Sequence, residues 1–179
     1  MRNGSSNQDF SVHAISGTHV ITLAFDAKKS ATAKLLGFAV KRRKFDKNGA
    51  FLEENWIQGY KPFESAVPDP QPFIKYDTNQ YPIQSFTWGD YAISQGRKYQ
   101  YVVYPLTGTP NAKVLGQPLT VDIEPEPYKH PKHEIYFNRG ASAMQVYVDR
   151  FKNIRPNEPS LTDLEKKKGM IGFLGVYLK

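Results

Sequence analysis

The chain has 179 residues, enough for one good-sized domain, or for one of roughly 120 residues with an appendage. It contains no cysteine, which excludes disulfides, thiol nucleophiles and zinc–thiolate sites. No apolar run approaches the roughly 20 residues of a membrane-spanning helix, and the N-terminus lacks the apolar segment of a secretory signal. These features predict a cytoplasmic protein without a membrane span.

Positive charge is concentrated towards the C-terminus. The formal net charge of the chain is +7. Residues 1–126 contain 14 Lys and Arg against 12 Asp and Glu, whereas residues 127–179 contain 10 against 5, so a net +5 lies in the last third. Such an excess suits an anionic partner. The plainer interpretation is a solvated helix face or a surface that further residues complete.

The pattern of residues 10–125 predicts that this segment forms antiparallel β-strands. Apolar side chains alternate with small or polar ones from Ile21 to Phe25, a period of two that is typical of a strand with one buried face. Residues 1–9 lack this pattern and are predicted to form a flexible tail. In the strand that starts at residue 36, Leu36, Phe38 and Val40 are expected to share one face. The predicted strands are 11–15, 19–25, 36–42, 55–60, 83–88, 99–104 and 119–123.

A basic run closes the third predicted strand. Arg42, Arg43 and Lys44 follow Lys41 and precede a Lys-Asn-Gly turn. Basic side chains interleaved with aromatic ones can grip phosphates. Arg42, Arg43 and Lys44 are therefore candidate contacts for an anionic ligand or partner, including a nucleic acid. The alternative is a hairpin tip whose charges keep it soluble and prevent edge-to-edge pairing.

Residues 62–82 form a Pro-rich segment that contains five of the prolines. About 20 residues without strand character are unusual inside a compact domain and are often functional. Aromatic side chains on such a stiff loop would make a contact surface for a protein or a glycan. The alternative is a plug at one open end of the domain. The aromatic candidates are Phe63, Phe73, Tyr76 and Tyr81.

Residues 93–103 carry the most specific signal for the fold. Ile93 and a turn at Gly96 precede Tyr99, which opens a Tyr-x-Tyr-x-Val strand. This arrangement resembles the tyrosine corner of immunoglobulin-like sandwiches, in which a buried tyrosine hydroxyl bonds to upstream backbone. Together with the strand at 37–42, it resembles a fibronectin type III-like domain over residues 10–125. That fold specifies no activity.

No catalytic or cofactor-binding motif is present. The chain has no Gly-rich phosphate loop and no nucleophile elbow. His130, His133 and Glu134 have metal-ligand chemistry, but the connector that holds them contains Pro131 and is a poor rigid scaffold for ligands. The chain is therefore predicted not to be an enzyme and to bind neither a metal nor a cofactor.

The period becomes helical after residue 136. Asn138 is a suitable N-cap for a helix that runs to about residue 153, and Ser160 is a suitable cap for a second one. Residues 126–179 are therefore predicted to form a connector and two helices. Their cations add to the candidate contacts for an anionic partner; these are Arg139, Lys166, Lys167 and Lys168.

The segment 136–151, YFNRGASAMQVYVDRF, resembles a junction in bacterial phospholipase D-like proteins. In that family a β-sandwich is followed by a helix of this FNRG type and later by the catalytic domain. The family's chemistry depends on His-x-Lys-x4-Asp motifs. Here the only His-x-Lys is His130-Pro131-Lys132, and Phe137 stands where the Asp belongs. The resemblance implies the N-terminal portion of such a protein, ending before its catalytic motifs.

The sequence thus predicts a mainly β protein, an immunoglobulin or fibronectin type III-like antiparallel sandwich followed by a two-helix C-terminal extension. The resemblance implies a non-catalytic accessory module that positions the downstream catalytic domain of the same protein, or recognises a partner or an anionic substrate. One alternative is an independent protein- or glycan-binding sandwich. The other is a basic nucleic-acid-binding module.

Overall fold

The computed structural model of the chain describes residues 1–71 and 74–127. These residues form eleven strands and one short 3-10 helix at Lys29–Ala31. In chain order the strands are β1 (Arg2–Ser6), β2 (Phe10–Ser16), β3 (Ile21–Ala27), β4 (Leu35–Phe45), β5 (Phe51–Trp56), β6 (Gln58–Gly59), β7 (Tyr76–Asp77), β8 (Thr87–Asp90), β9 (Lys98–Thr109), β10 (Ala112–Leu115) and β11 (Leu119–Ile123).

The strands make two antiparallel sheets that face each other across one core. The first sheet has the order β1-β2-β3-β8. The second has the order β10-β9-β4-β5, and β11 pairs with the same edge of β9 further along that strand. The short strands β6 and β7 pair only with each other. The predicted mainly β, sandwich-like architecture is confirmed, whereas the predicted helices lie outside the described residues.

Alternating side chains build the core from both sheets. Leu23 and Phe25 of β3 pack with Phe38 and Val40 of β4 and with Val103 of β9, and all five are buried. The Phe25 and Phe38 rings stack across the core with centroids 4.4 Å apart. Burial of each such side chain stabilises the fold by about 1.5–3 kcal/mol. The strands whose alternation is clearest in the sequence therefore carry the core.

The N-terminal residues differ from the prediction of a flexible tail. Arg2–Ser6 form strand β1, which pairs with β2 from Arg2↔Ile15 to Ser6↔Ser11. The segment has no apolar face because it lies at the sheet edge with its side chains mostly exposed. Backbone pairing and a hydrogen bond of 2.7 Å from the Asn3 side chain to the Asp122 carbonyl define the strand, so a pattern of hydrophobicity could not reveal it.

The predicted strand at 83–88 is divided between the two sheets. Ile83 makes a two-way backbone bridge of 2.9 Å hydrogen bonds with Phe38 of β4. The chain then crosses over, and β8 pairs with β3 through Leu23↔Trp88 and its neighbours. A single predicted strand therefore contributes residues to both layers.

A β-bulge near the start of β4 changes which residues face the core, so the predicted inward position of Leu36 is wrong. The register shifts between Leu35 and Gly37, so Leu35 rather than Leu36 packs against the core with Phe38. Gly37 has a φ of +142°, and a Cβ there would lie 2.3 Å from the Ile83 carbonyl oxygen. Only glycine fits this conformation and this close approach.

The predicted tyrosine corner is confirmed. Tyr99 is 1% exposed, and its hydroxyl accepts a hydrogen bond of 2.7 Å from the backbone N–H of Ser94. This contact fixes the turn that carries the chain from β8 into β9.

Three hydrogen bonds tie the end of the domain to two of its turns. The Gln95 side-chain amide donates to the carbonyl oxygens of Thr18 and Glu126, each at 2.7 Å. The Glu126 N–H donates to the Gly17 carbonyl at 3.1 Å. We call this arrangement the C-terminal tie. The tie thus holds Glu126, the residue after the predicted end of the sandwich at 125, to the turns of the domain.

Candidate binding surface

The Pro-rich loop folds its aromatic side chains together. The ladder of β6 and β7 closes the loop at its base, so Tyr76 lies in a strand and not in the irregular segment that the sequence predicts. The Tyr81 ring lies 5.0 Å from Tyr76 at an angle of 74°, and 6.0 Å from Phe63 at 57°. All three side chains are half-buried, so each keeps some surface for a partner. The fourth predicted aromatic, Phe73, lies outside the described residues.

A lysine from the second sheet completes this cluster. Lys113 of β10 stands opposite Gly108 of β9. Its Nζ lies 5.6 Å from the centroid of Tyr81 and 5.9 Å from that of Phe63. Such cation–π contacts contribute about 0.5–1 kcal/mol when partly exposed. We define the aromatic patch as Phe63, Tyr76, Tyr81 and Lys113. Lys113 was not predicted, because only the fold brings β10 to the loop.

One polar atom in the same loop has no partner. Asn79 lies in the turn between Tyr76 and Tyr81, which is closed by the Tyr81 N–H donating to the Asp77 carbonyl at 3.0 Å. Its Oδ1 is buried and makes no hydrogen bond, the one such side-chain atom within 1–71 and 74–127. Leaving a buried acceptor unpaired costs about 1–3 kcal/mol. Native proteins rarely retain such an atom without a water, an ion or a functional reason.

The basic run lies inside β4, between β5 and β9, and not at the tip of the hairpin. Acidic side chains of the domain already pair with it. Arg43 Nε donates to Glu54 at 2.5 Å, and Lys41 Nζ donates to the same carboxylate at 2.9 Å. Hydrogen bonds from Arg43 and then Lys41 lower the pKa of the Glu54 carboxyl below its usual value. Lys44 lies 3.4 Å from Glu53. A phosphate would have to displace these partners, which weighs against a nucleic-acid site here.

Arg42 points inward, on the same face as Phe38 and Val40. Its guanidinium donates from Nη1 to both carboxylate oxygens of Asp90, at 3.1 and 3.0 Å. The Asp90 side chain is 2% exposed, and it also accepts from the Tyr101 hydroxyl at 2.8 Å. Strand alternation could have indicated the inward direction of Arg42, but only the fold identifies its partner. The sequence-based assignment of Arg42 to an anion-binding surface overlooked this buried carboxylate.

Burial shapes the protonation of this cluster. Burial raises the pKa of the Tyr101 phenol well above its usual value, and the negative charge of Asp90 raises it further. Burial alone would lower the pKa of Arg42, but the attraction of Asp90 outweighs it, and the net shift is upward. The phenol therefore stays neutral and the guanidinium charged. This is a structural ion pair that joins the two sheets.

A separate cleft of about 400 Å³ lies beside the β4–β5 hairpin, with Phe45, Lys98, Tyr99 and Glu124 among its lining residues. None of the predicted site residues lines it. Lys98 and Glu124 are 3.5 Å apart and pair with each other, and the Tyr99 hydroxyl is occupied by Ser94. Lys98, Glu124 and Tyr99 of this cleft thus already have partners within the domain.

The part of the chain that the structure describes contains no cluster of three metal-ligating side chains. It also contains no helix that is long and apolar enough to cross a membrane. The remaining predicted contacts for an anionic partner lie outside the described residues; these are Arg139, Lys166, Lys167 and Lys168. His130, His133 and Glu134, which were predicted not to bind a metal, also lie outside them.

Comparison of the chain with models of protein families, with curated proteins and with solved structures finds no match. The aromatic patch and the fold that holds it are therefore the basis for the functional argument.

Proposed function

We propose that the chain is a non-catalytic binding module with a fibronectin type III-like sandwich, and that the aromatic patch is its contact surface. The single observation that supports this most is the grouping of Phe63, Tyr76 and Tyr81 with Lys113 on one half-exposed surface. Aromatic side chains such as these are enriched where proteins bind partners. The confirmed tyrosine corner at Tyr99 supports the fibronectin type III-like assignment.

The alternative is that the aromatic patch only packs the loop against the domain and contacts no partner. The rings keep part of their surface exposed, which favours binding, since a purely structural plug would bury them fully. The basic run is less suitable as the contact surface because each of its cations already pairs with an acidic side chain of the domain. The proposed partner is therefore recognised by rings and by hydrogen bonds more than by net charge.

The test is a binding screen with the full 179-residue chain against a random peptide library and a panel of soluble polysaccharides. We expect at least one ligand whose binding is lost in Tyr81→Ala, since the Tyr81 ring contacts the other two rings and the lysine. Phe51→Ser is the matched control, because Phe51 is 59% exposed and lies on a different strand. Ligands that bind both variants equally, or no ligand at all, would contradict the proposal.

We further propose that the module is an accessory part of a phospholipase D-like phosphodiesterase, positioning the catalytic domain or recognising a partner for it. The support for this is the resemblance of residues 136–151, with their Asn138-Arg139-Gly140 sequence. The test is the reading frame beyond Lys179. Two His-x-Lys-x4-Asp motifs there are expected, and a stop codon directly after Lys179 would refute the assignment.

A further inference from the structure

We propose that Asn3 is a site of spontaneous deamidation, at which water converts the side-chain amide into a carboxylate and thereby loosens strand β1. This inference concerns the edge of the first sheet and is independent of the aromatic patch. The chain contains two Asn-Gly sequences, Asn3-Gly4 and Asn48-Gly49, and all four residues are exposed. The structure distinguishes between them, because it places the reacting groups side by side in the first and holds them apart in the second.

The reaction joins the asparagine side chain to the backbone nitrogen of the next residue. That nitrogen gives up its proton to water or hydroxide, bonds to Cγ of the side-chain amide and expels Nδ2 as ammonia. One water molecule then opens the resulting cyclic imide at either of its two carbonyl carbons. One opening gives aspartate, and the other gives isoaspartate, in which the main chain runs through the side-chain carboxyl. Glycine favours the reaction because it has no Cβ to obstruct the approach of its nitrogen.

The Gly4 nitrogen takes no part in the β1–β2 ladder. The Ser16 N–H donates to the Met1 carbonyl at 2.9 Å. In an antiparallel ladder such bonds fall on every second residue of each strand, so after Met1 they fall on residues 3 and 5. Gly4 stands opposite His13 in a pair between these. Its N–H therefore points away from β2, towards the open edge of the sheet.

The Gly4 N–H donates instead to the side chain of its neighbour. The acceptor is Asn3 Oδ1 at 2.9 Å, the atom bonded to the carbon that the nitrogen attacks. Asn3 Nδ2 donates to the Asp122 carbonyl at 2.7 Å, which fixes the amide in this orientation. The reacting groups thus start close to the geometry of attack. Both residues are exposed, so water and hydroxide reach them.

The second Asn-Gly sequence is held differently. The Gly49 N–H donates to the Asp46 backbone carbonyl at 3.1 Å and not to the Asn48 side chain. The Asp46 carboxylate accepts from the N–H groups of Asn48 and Ala50, both at 2.8 Å. These bonds fix the turn and keep the Gly49 proton on a backbone oxygen. We therefore expect Asn3 to react faster, although it lies in a strand and Asn48 lies in a turn.

The product removes a contact that holds β1. A carboxylate at position 3 has no proton to donate to the Asp122 carbonyl, and its negative charge lies next to that oxygen. Isoaspartate also adds one atom to the main chain between residues 3 and 4, which displaces the pairing of Ser5 with Val12. Because the side chains of β1 are mostly exposed, no apolar face compensates for the loss.

Incubation of the full chain at mildly alkaline pH, followed by peptide mapping, tests the proposal. Tryptic peptides 3–28 and 48–75 carry the two sites separately. Mass spectrometry detects the exchange of amide for acid, and isoaspartyl methyltransferase labels isoaspartate. We expect Asn3 to convert about tenfold or more faster than Asn48 in the folded protein. The chain unfolded in guanidinium chloride is the baseline, and there the two sites should convert at similar rates.

Two variants test the effect on the strand. Asn3→Asp reproduces one product, and hydrogen exchange at the Ser5 amide should accelerate by about fivefold, the effect of losing one hydrogen bond. Asn48→Asp is the matched control, because it makes the same change of charge outside β1, and it should leave this exchange unaltered.

The outcomes separate the modification from its consequence. Equal rates at the two sites in the folded protein, or faster conversion of Asn48, would overturn the proposal. A ratio of rates no larger in the folded than in the unfolded chain would overturn it as well, since positioning would then contribute nothing. Unchanged Ser5 exchange in Asn3→Asp would refute the loosening of β1 and leave the modification site standing.

Discussion

The Tyr101 hydroxyl donates a hydrogen bond of 2.8 Å to Asp90, and this contact joins the two sheets inside the sandwich. Tyr101 lies on β9 of the second sheet, and Asp90 lies at the end of β8 in the first. Arg42 and the Ala92 N–H complete the hydrogen bonding of the carboxylate. A buried charge of this kind is tolerated only because each partner is present.

Removing Arg42 should destabilise the domain severely. In Arg42→Met the apolar stem is kept, but Asp90 is left buried without a cation, which costs about 3–5 kcal/mol. Arg43→Met is the matched control, because the Arg43 side chain is 39% exposed and its loss should cost under about 1 kcal/mol. The free energy of unfolding from urea titration measures both. Similar losses of unfolding free energy in the two variants would show that the buried Arg42–Asp90 pair contributes no more to stability than the partly exposed Arg43–Glu54 pair.

Stability should fall at alkaline pH through Tyr101. Its pKa is raised in the folded state, so between about pH 10 and that higher value the unfolded chain loses this proton and the folded chain keeps it. The contribution is fully present below about pH 10 and is lost as pH rises, by up to about 1.4 kcal/mol per pH unit. Urea titrations of Tyr101→Phe across this range should show a shallower decline. If the wild type and Tyr101→Phe lost stability identically with rising pH, groups other than Tyr101 would cause the decline.

Tyr99→Phe should loosen the tyrosine corner. The substitution removes the acceptor of the Ser94 N–H while the ring stays buried, and we expect a cost of about 1–2 kcal/mol. Hydrogen exchange at the Ser94 amide should accelerate accordingly. Tyr91→Phe is the control, since Tyr91 is 39% exposed, and it should change stability by less than about 0.5 kcal/mol. Unchanged exchange at Ser94 would mean that the hydroxyl contact contributes nothing.

Gly37→Ala should be among the most damaging single changes. The new Cβ would lie 2.3 Å from the Ile83 carbonyl oxygen at a φ of +142°, so the Phe38–Ile83 bridge must open. We expect a loss of about 3 kcal/mol or more. At Gly59, no atom lies within 4 Å of the added Cβ, and alanine there should be nearly neutral. Thermal midpoints of the two variants provide the comparison, and equal midpoints would contradict it.

Hydrophobic periodicity was sufficient to predict the strands that form the core, but it did not predict the strand at the sheet edge. The alternation of Ile21, Leu23 and Phe25 predicted β3 and its buried face, and the spacing around Tyr99 predicted a specific hydrogen bond. Strand β1 was missed because Arg2–Ser6 has no alternating apolar face and is defined mainly by backbone pairing with β2. Leu36 was placed on the wrong face because a bulge depends on the neighbouring strand, which local sequence does not specify.

The candidate binding surface was predictable only in part. A Pro-rich segment interleaved with aromatics predicted that Phe63, Tyr76 and Tyr81 could form a surface. Lys113 lies more than 30 residues further along the chain, and only the pairing of β10 with β9 brings it to the rings. The pairing of Arg42 with Asp90 is likewise a long-range contact, so a count of local charges overstated how many cations are available to a ligand.

The C-terminal tie also determines how the domain would bear mechanical load. Pro125 and Pro127 flank Glu126 and restrict the backbone on both sides of it. Tension applied along the chain at residue 127 would first meet the hydrogen bonds from Gln95 to Glu126 and from Glu126 to Gly17. The Met1 amine also pairs with the Glu126 carboxylate. The ladder between β11 and β9 would carry the force after these contacts break. The tie thus protects the last strand from being peeled away from its end.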